Sequence, residues 1–340
     1  MALNFAPGSL AEHLSEMAGY KVGLALTVEE ICDHLSGSGR MADMVRHSEA
    51  YGIRIRSEEY EAVHYRLLYR IGYTEDEHVG VPPGIREYHK YKGVPKLLAE
   101  YEAMYGIFLG MIPDLIEAAA KRPDKKLDPK PFFDRCRAEL SSVGLKMAYD
   151  HLLAWGNALR VSPYHQGRYV EWQNPLDLNR LFTGTALTPE AGTFIDQRYL
   201  DYLSNNTHRM PDMHWRKFEE MTAEYFQREG FRVEIGPGSN DDGVDVRLWK
   251  PDAPEDSKPT CLVQCKRQKA KVEKVIIKGL AADVQYMEAD YGLIVTTSTL
   301  SPGAAATITA RGYPIQTVER DALANWLERL RTPGTGIVRL

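Results

Sequence analysis

The stretch NDDGVDVRLWK, Asn240 to Lys250, followed after a loop by CLVQCKRQK, Cys261 to Lys269, decides how this chain is read. Val244, Val246 and Leu248 alternate with Asp245 and Arg247, and Cys261, Val263 and Cys265 alternate with Leu262, Gln264 and Lys266. Successive side chains on a strand point to opposite faces, so the pattern predicts two neighbouring strands, Val244 to Trp249 and Leu262 to Lys266. Each offers one apolar face to a core and one polar face to a cleft. Asp245, Gln264 and Lys266 then meet at one polar edge. A carboxylate, an amide oxygen and an ammonium beside a glycine loop suit metal-assisted cleavage of a phosphodiester.

The flanking sequence supplies the rest of a sheet. Trp215 to Glu229 has helical spacing, with Trp215, Phe218, Met221, Thr222, Tyr225 and Phe226 as its buried stripe. Glu219 falls at the edge of that stripe and is directed to the cleft. Glu220 falls opposite, with Arg216 and Glu224, as a solvated face. Strands are expected at Phe231 to Ile235, Gly292 to Thr296 and Pro314 to Val318, and helices at Val272 to Glu288, Ser301 to Arg311 and Asp321 to Leu330. Pro302 suits the first helical position after Ser301. Meander strands followed by crossovers imply an α/β domain, a mixed sheet flanked by helices.

Mg²⁺ takes oxygen ligands and keeps several waters, so few protein groups suffice. Asp245 would be the principal ligand, with the Gln264 side-chain oxygen and the Cys265 backbone carbonyl beside it and Glu219 as a further acidic candidate. Mn²⁺ is the alternative ion. Lys266 would orient the attacking water or offset the developing charge. Cys261 and Cys265, four apart on one strand face, read as small apolar core residues, and four scattered cysteines make no disulfide framework.

Phe218-Glu219, Gly230-Phe231, Asp242-Gly243-Val244-Asp245, Gln264-Cys265-Lys266 and Val295-Thr296-Thr297, in that order, resemble the PD-(D/E)xK nuclease superfamily, and within it the Mrr-type restriction endonuclease branch. The resemblance covers about Trp215 to Leu330 and implies a restriction-endonuclease-like fold with Mg²⁺-dependent DNA cleavage. It places Glu219, Asp245, Gln264 and Lys266 at the active positions. Gln at the second acidic position departs from the general superfamily pattern and is the usual form in this branch. Restriction or anti-phage defence is the leading role. A repair or recombination nuclease, such as a junction resolvase, and a catalytically silent nucleic-acid-binding module are the alternatives.

The net charge is -5, yet charge is uneven along the chain. Arg267, Lys269, Lys271, Lys274 and Lys278 form a basic run beside the site, with Lys271, Lys274 and Lys278 on one helical face. With Ser239 and Asn240 of the glycine loop they are the expected DNA contacts. Asp242 reads as a turn residue.

Residues 1–204 read as a mainly helical sensing, recognition or assembly region, and 205–340 as the nuclease domain. Helices are expected at Leu10 to Tyr20 (capped by Ser9), Val28 to Leu35 (Thr27 and Glu30 forming a capping box), Met41 to Tyr51, Ser57 to Ile71 and Pro95 to Ala120, the last interrupted near Gly106, Gly110 and Pro113. PDKKLDPKP, Pro123 to Pro131, reads as an internal linker, after which Phe132 to Leu159 is helical again. No apolar run is read as approaching the roughly 20 residues of a membrane span, and no secretory signal is evident, so a cytoplasmic protein without membrane contact is expected. DNA is the expected partner. A homodimer could pair two clefts, and an activating ligand or defence partner could act through the helical region.

Overall fold

The computed structural model describes residues 2–37, 39–77, 80–186, 188–238 and 243–332. The chain begins with β1 (Ala2–Phe5), α1 (Ser9–Val22), β2 (Leu24–Ala25), α2 (Val28–Leu35), α3 (Met41–Ala50), β3 (Ile53–Arg56) and α4 (Ser57–Arg70). It continues with α5 (Pro83–Tyr91), α6 (Pro95–Lys121), α7 (Lys130–Glu139), α8 (Ser142–Val161), β4 (Leu176–Asp177), α9 (Arg180–Thr183) and α10 (Gln197–Asn205). A 3₁₀ turn, Thr207–Asp212, leads into α11 (Trp215–Arg228), β5 (Arg232–Ile235), β6 (Val246–Trp249), β7 (Cys261–Lys266) and α12 (Lys274–Tyr286). β8 (Tyr291–Thr296), α13 (Pro302–Arg311), β9 (Ile315–Val318) and α14 (Arg320–Leu330) complete it.

The C-terminal elements form the expected mixed sheet, in the order β5-β6-β7-β8-β9. β5, β6 and β7 run antiparallel, and β7, β8 and β9 parallel. Both faces are covered, which differs from the one open face expected for each strand. On one side Val246, Leu248, Cys261, Val263, Leu293 and Val295 share a core with Phe218 and Met221 of α11 and with Trp326 and Leu327 of α14. On the other, Leu262, Ile294 and Ile315 pack with Ile277 and Leu280 of α12 and Ala304 of α13. Polar side chains can therefore gather only at a strand end, where the helices no longer cover the sheet.

The N-terminal part is mainly helical, as expected. Thr27 and Glu30 make the capping box: Thr27 Oγ1 accepts from the Glu30 N–H at 3.2 Å and Glu30 Oε2 from the Thr27 N–H at 2.9 Å. Ser9 caps nothing. It is the first residue of α1, and its hydroxyl donates to the Ala6 carbonyl. β1 pairs antiparallel with β3, two strands the sequence pattern did not signal.

α6 runs unbroken through Pro113. Proline removes a single N–H from a helix, and the buried row Tyr101, Met104, Ile107, Phe108, Leu115 and Ala119 continues on both sides of it. α6 is also long and apolar enough to cross a membrane by length and composition, contrary to the expectation that no segment was. In the fold it shares a core with α7 and α8, built on Phe108, Phe132, Cys136 and Met147. The proline-rich segment from 123 to 131 connects α6 to α7 and gives α7 its first residues, Lys130 and Pro131. The helical stretch beyond it is two helices, divided where Ser141 caps α8 by accepting from the Val143 N–H at 3.2 Å.

Residues from both halves of the sequence build the largest core, which runs from Leu10 of α1 to Leu330 of α14. α10 packs against α14 and α4.

Candidate active site

The site is built around an irregularity in β6. Val246 is the register partner of Val263, yet the Asp245 N–H also bonds to the Val263 carbonyl, at 2.9 Å. The Asp245 carbonyl meanwhile accepts from the Gly236 N–H on the other side, at 2.8 Å. In a regular strand the N–H and C=O of one residue face the same neighbour; here they face opposite neighbours. Two residues thus share one partner, the arrangement of a β-bulge, which bends a strand and re-aims a side chain. The expected alternation breaks accordingly: Val246 enters the α11 core and Val244 the α12 core.

The bulge directs Asp245 at β7. Its Oδ2 accepts from the Cys265 N–H at 2.6 Å, placing the carboxylate on the residue that lies between Gln264 and Lys266. Glu219 approaches from α11 and is only 5 % exposed. Burial first, and then the Asp245 charge, push its carboxyl up to about 7, against the opposing pull of Arg216. Two carboxylates in contact share this end of the sheet.

Arg216 holds Glu219 in place. Its Nη1 lies 3.0 Å from Glu219 Oε2 and donates to the Gly236 carbonyl at 2.7 Å, joining α11 to the end of β5. The solvated face expected for Arg216, Glu220 and Glu224 is not present. Lys217 pairs with Glu220 at 2.6 Å, and Glu224 is 2 % exposed, accepting from the Thr193 and Phe194 N–H groups at 2.8 and 2.7 Å. That distant segment covers the back of α11, and no periodicity within the helix could reveal it. Trp215, expected in the buried stripe, is 44 % exposed at the first turn.

Gln264 is buried, and its Oε1 has no hydrogen-bond partner among the described residues. A buried acceptor without a donor is costly and calls for an explanation. The Gln264 amide nitrogen lies against Gly243, whose φ is +83°; a Cβ built there would sit 3.0 Å from it. Lys266 is half-buried at the end of β7. Its carbonyl accepts from the Thr296 hydroxyl at 2.8 Å, which fixes the strand end. Burial raises the Cys265 thiol well above its ordinary value, with the Asp245 charge adding to the shift and the Lys266 charge opposing it. Both charges therefore bear on the same sulfur. Cys265 Sγ contacts the Thr222 hydroxyl at 3.6 Å, and Cys261 is fully buried, so both cysteines behave as core residues.

Among the described residues no cluster of three or more His, Cys, Asp or Glu side chains is placed to hold a metal. The set at this site is instead two carboxylates and an unpartnered amide oxygen. That oxygen set fits a hard cation such as Mg²⁺ and does not fit a thiolate-seeking ion.

The basic residues divide into two groups. Arg267 Nη1 donates to the Pro211 carbonyl at 2.9 Å and Lys269 pairs with Asp212 at 3.3 Å, so both contact the 3₁₀ turn. Lys271, Lys274 and Lys278 are exposed. Lys271 precedes α12 rather than sharing its face, because Val272 bridges to Leu300 and delays the helix start to Lys274. Ser239, Asn240 and Asp242 lie outside the described residues.

Sequence reasoning missed Arg216 as a partner of the site. The signal was its i,i+3 spacing to Glu219, a standard helical ion-pair distance.

Residues 210–327 match the family model Mrr_cat, described as restriction endonuclease. Among solved structures, "MspJI Restriction Endonuclease in Complex with 27-mer Oligonucleotide" matches at 20 % identity with a TM-score of 0.29, covering 56 % of this chain and 46 % of that one. The chain thus spans less than half the length of that relative. No curated protein matches the chain. The region from 210 to 327 is a restriction endonuclease domain of the Mrr type, carried at the C-terminal end of a mainly helical chain.

Proposed function

We propose that the protein is a metal-dependent DNA endonuclease acting in restriction or antiviral defence, with Mg²⁺ as its ion and Mn²⁺ able to substitute. The observation that carries this is the bulge that sets Asp245 on the Cys265 N–H at 2.6 Å, next to Glu219 and the unpartnered Gln264 oxygen.

Asp245, Gln264 Oε1 and the Cys265 carbonyl would hold the ion, with Glu219 completing the acidic side. When bound, the ion supplies Lewis-acid polarisation and a water of lowered pKa. Lys266 offsets negative charge as it develops on the phosphate and orients the nucleophile. Arg216 keeps the Glu219 carboxylate facing Asp245. The exposed Lys271, Lys274 and Lys278 track the DNA backbone, with Arg267 and Lys269 shaping the approach through the 3₁₀ turn. Residues 205–340 do the cutting, and residues 1–204 sense, recognise or assemble in the cytoplasm. A homodimer would place two such clefts on opposite strands.

Because segment 193–194 and α10 pack against the nuclease elements, the test uses the full chain. Plasmid, linear, methylated and branched DNA are each incubated with the protein and Mg²⁺. Cleavage of duplex DNA without preference for branches supports this reading; cleavage confined to branched DNA transfers it to recombination, and no cleavage of any form rejects it.

A further inference from the structure

A cavity of about 450 Å³ lies away from the nuclease site, between α8 and the C-terminal end of α14. Its size is within the range of small-molecule sites. Arg160, in the last turn of α8, forms part of its wall and is only 8 % exposed. Arg160 Nη1 donates to Asn157 Oδ1 at 2.9 Å, but its Nε is buried without a partner, and no carboxylate pairs with the guanidinium among the described residues. Arg331, just beyond α14, reaches the same cavity. It donates to Asn205 Oδ1 and the Gly72 carbonyl, and its Nε too is buried without a partner among the described residues. The Thr74 hydroxyl on the wall is in the same condition.

A buried cation with no counter-charge is costly, and it is offset only when an anion arrives. Arg160 has aromatic rather than anionic partners, its guanidinium lying over the Tyr169 ring and 5.9 Å from the Tyr73 ring centroid. The fully buried Lys21 amine, which donates to the Arg160 carbonyl at 2.7 Å, adds like charge nearby. Burial pulls the Arg160 guanidinium down to about 10, as expected for a cation with no anion beside it. The exposed part of the lining is mainly of the opposite sign, with Glu75, Asp76 and Asp150 there beside Arg86. Tyr73 and Tyr169 line the middle of the cavity, their ring centroids 5.2 Å apart and their planes tilted by 58°, with the Arg160 guanidinium against one face of Tyr169. A ligand matching this arrangement carries an oxyanion at its inner end, a flat ring in the middle, and amino donors at its outer end.

We propose that this cavity binds a nucleoside monophosphate, with the phosphate between Arg160 and Arg331, the base along Tyr73 and Tyr169, and its amino group toward Asp76 and Asp150. The two cations come from the two halves of the sequence, so the ligand would fasten the helical region to the end of the nuclease domain. Binding is independent of cleavage, and this inference stands or falls apart from the nuclease reading.

The test is calorimetric titration and thermal melting of the full chain with AMP, CMP, GMP and UMP, against adenosine and inorganic phosphate. The expected result is saturable binding of at least one amino-bearing monophosphate with a raised melting temperature, and at least tenfold weaker binding of adenosine and of phosphate alone. Arg331→Gln and Arg160→Gln should each weaken binding at least tenfold. Arg331→Gln alters a residue outside the helices and keeps the test decisive should Arg160→Gln fail to fold. Failure of all four nucleotides to bind at millimolar concentration overturns the proposal. So does binding that Arg331→Gln leaves unchanged, or an Arg160→Met variant that melts higher than the parent while the parent binds no nucleotide, which would make the buried cation purely structural.

Discussion

Asp245 reaches Cys265 through a hydrogen bond of 2.6 Å from the Cys265 N–H to Asp245 Oδ2, and that bond exists because the chain bulges at Asp245. The carboxylate is consequently held by backbone rather than by a flexible side chain. Asp245→Asn keeps the shape and a hydrogen-bond acceptor but loses the charge. Its cleavage rate should fall on the order of a hundredfold or more with little change in melting temperature, measured on supercoiled plasmid. A variant that unfolds would instead give Asp245 a structural role.

Lys266→Met removes the ammonium and keeps much of the apolar stem. Cleavage should fall on the order of 10²–10³-fold, the scale on which a positioned charge stabilises a transition state. DNA affinity in Ca²⁺, measured by anisotropy, should change little. A loss confined to affinity would reassign Lys266 to binding.

Gly243 has φ +83° beside Gln264. Alanine there takes on the left-handed cost of about 1–2 kcal/mol, and its Cβ presses on the Gln264 amide. Gly243→Ala should therefore lose both stability of that order, by denaturant titration, and activity. An unchanged rate would show that the Gln264 position is immaterial.

Much of this site was legible from the sequence, and the illegible parts share a cause. The alternation through Cys261–Lys266 gave the strand, its core face and the polar end, because those depend on neighbours within the strand. The box at Thr27 and Glu30 was equally local. The bulge at Asp245 depends on which strand accepts its N–H, and the burial of Glu224 on amides some thirty residues upstream, Thr193 and Phe194. The helical spacing therefore set Glu219 on the side where it meets Asp245 while misjudging Arg216 and Glu224 on the same helix. Pro113 marked a break in α6 by local rule, and packing across the helix overrode it.

Glu219 gives a pH signature in the metal-free protein. Its carboxyl is raised to about 7 from an ordinary value of 4.5, chiefly by burial. The native state then holds a proton that the unfolded chain releases at lower pH. Its contribution to stability is therefore present below about pH 4.5 and is lost as pH rises through about 7. Glu219→Gln should melt higher than the parent at pH 8 and alike at pH 4.5, and added Mg²⁺ should narrow the difference by stabilising the parent. A constant difference across this range would contradict the placement of Glu219 against Asp245.

Lys274 and Lys278 are exposed one turn apart on α12. If they meet phosphates, Lys274→Gln and Lys278→Gln should each reduce the slope of log K against log salt by about 1. Slopes equal to the parent's would leave these lysines as ordinary solvated charges.

The nicking of supercoiled plasmid by the full chain and by Asp245→Asn, each with Mg²⁺ and with EDTA, bears most directly on the proposed site. Cleavage by the parent in Mg²⁺ alone, and by the variant in neither condition, is the predicted result. Equal cleavage by both proteins, or cleavage that persists in EDTA, would contradict it.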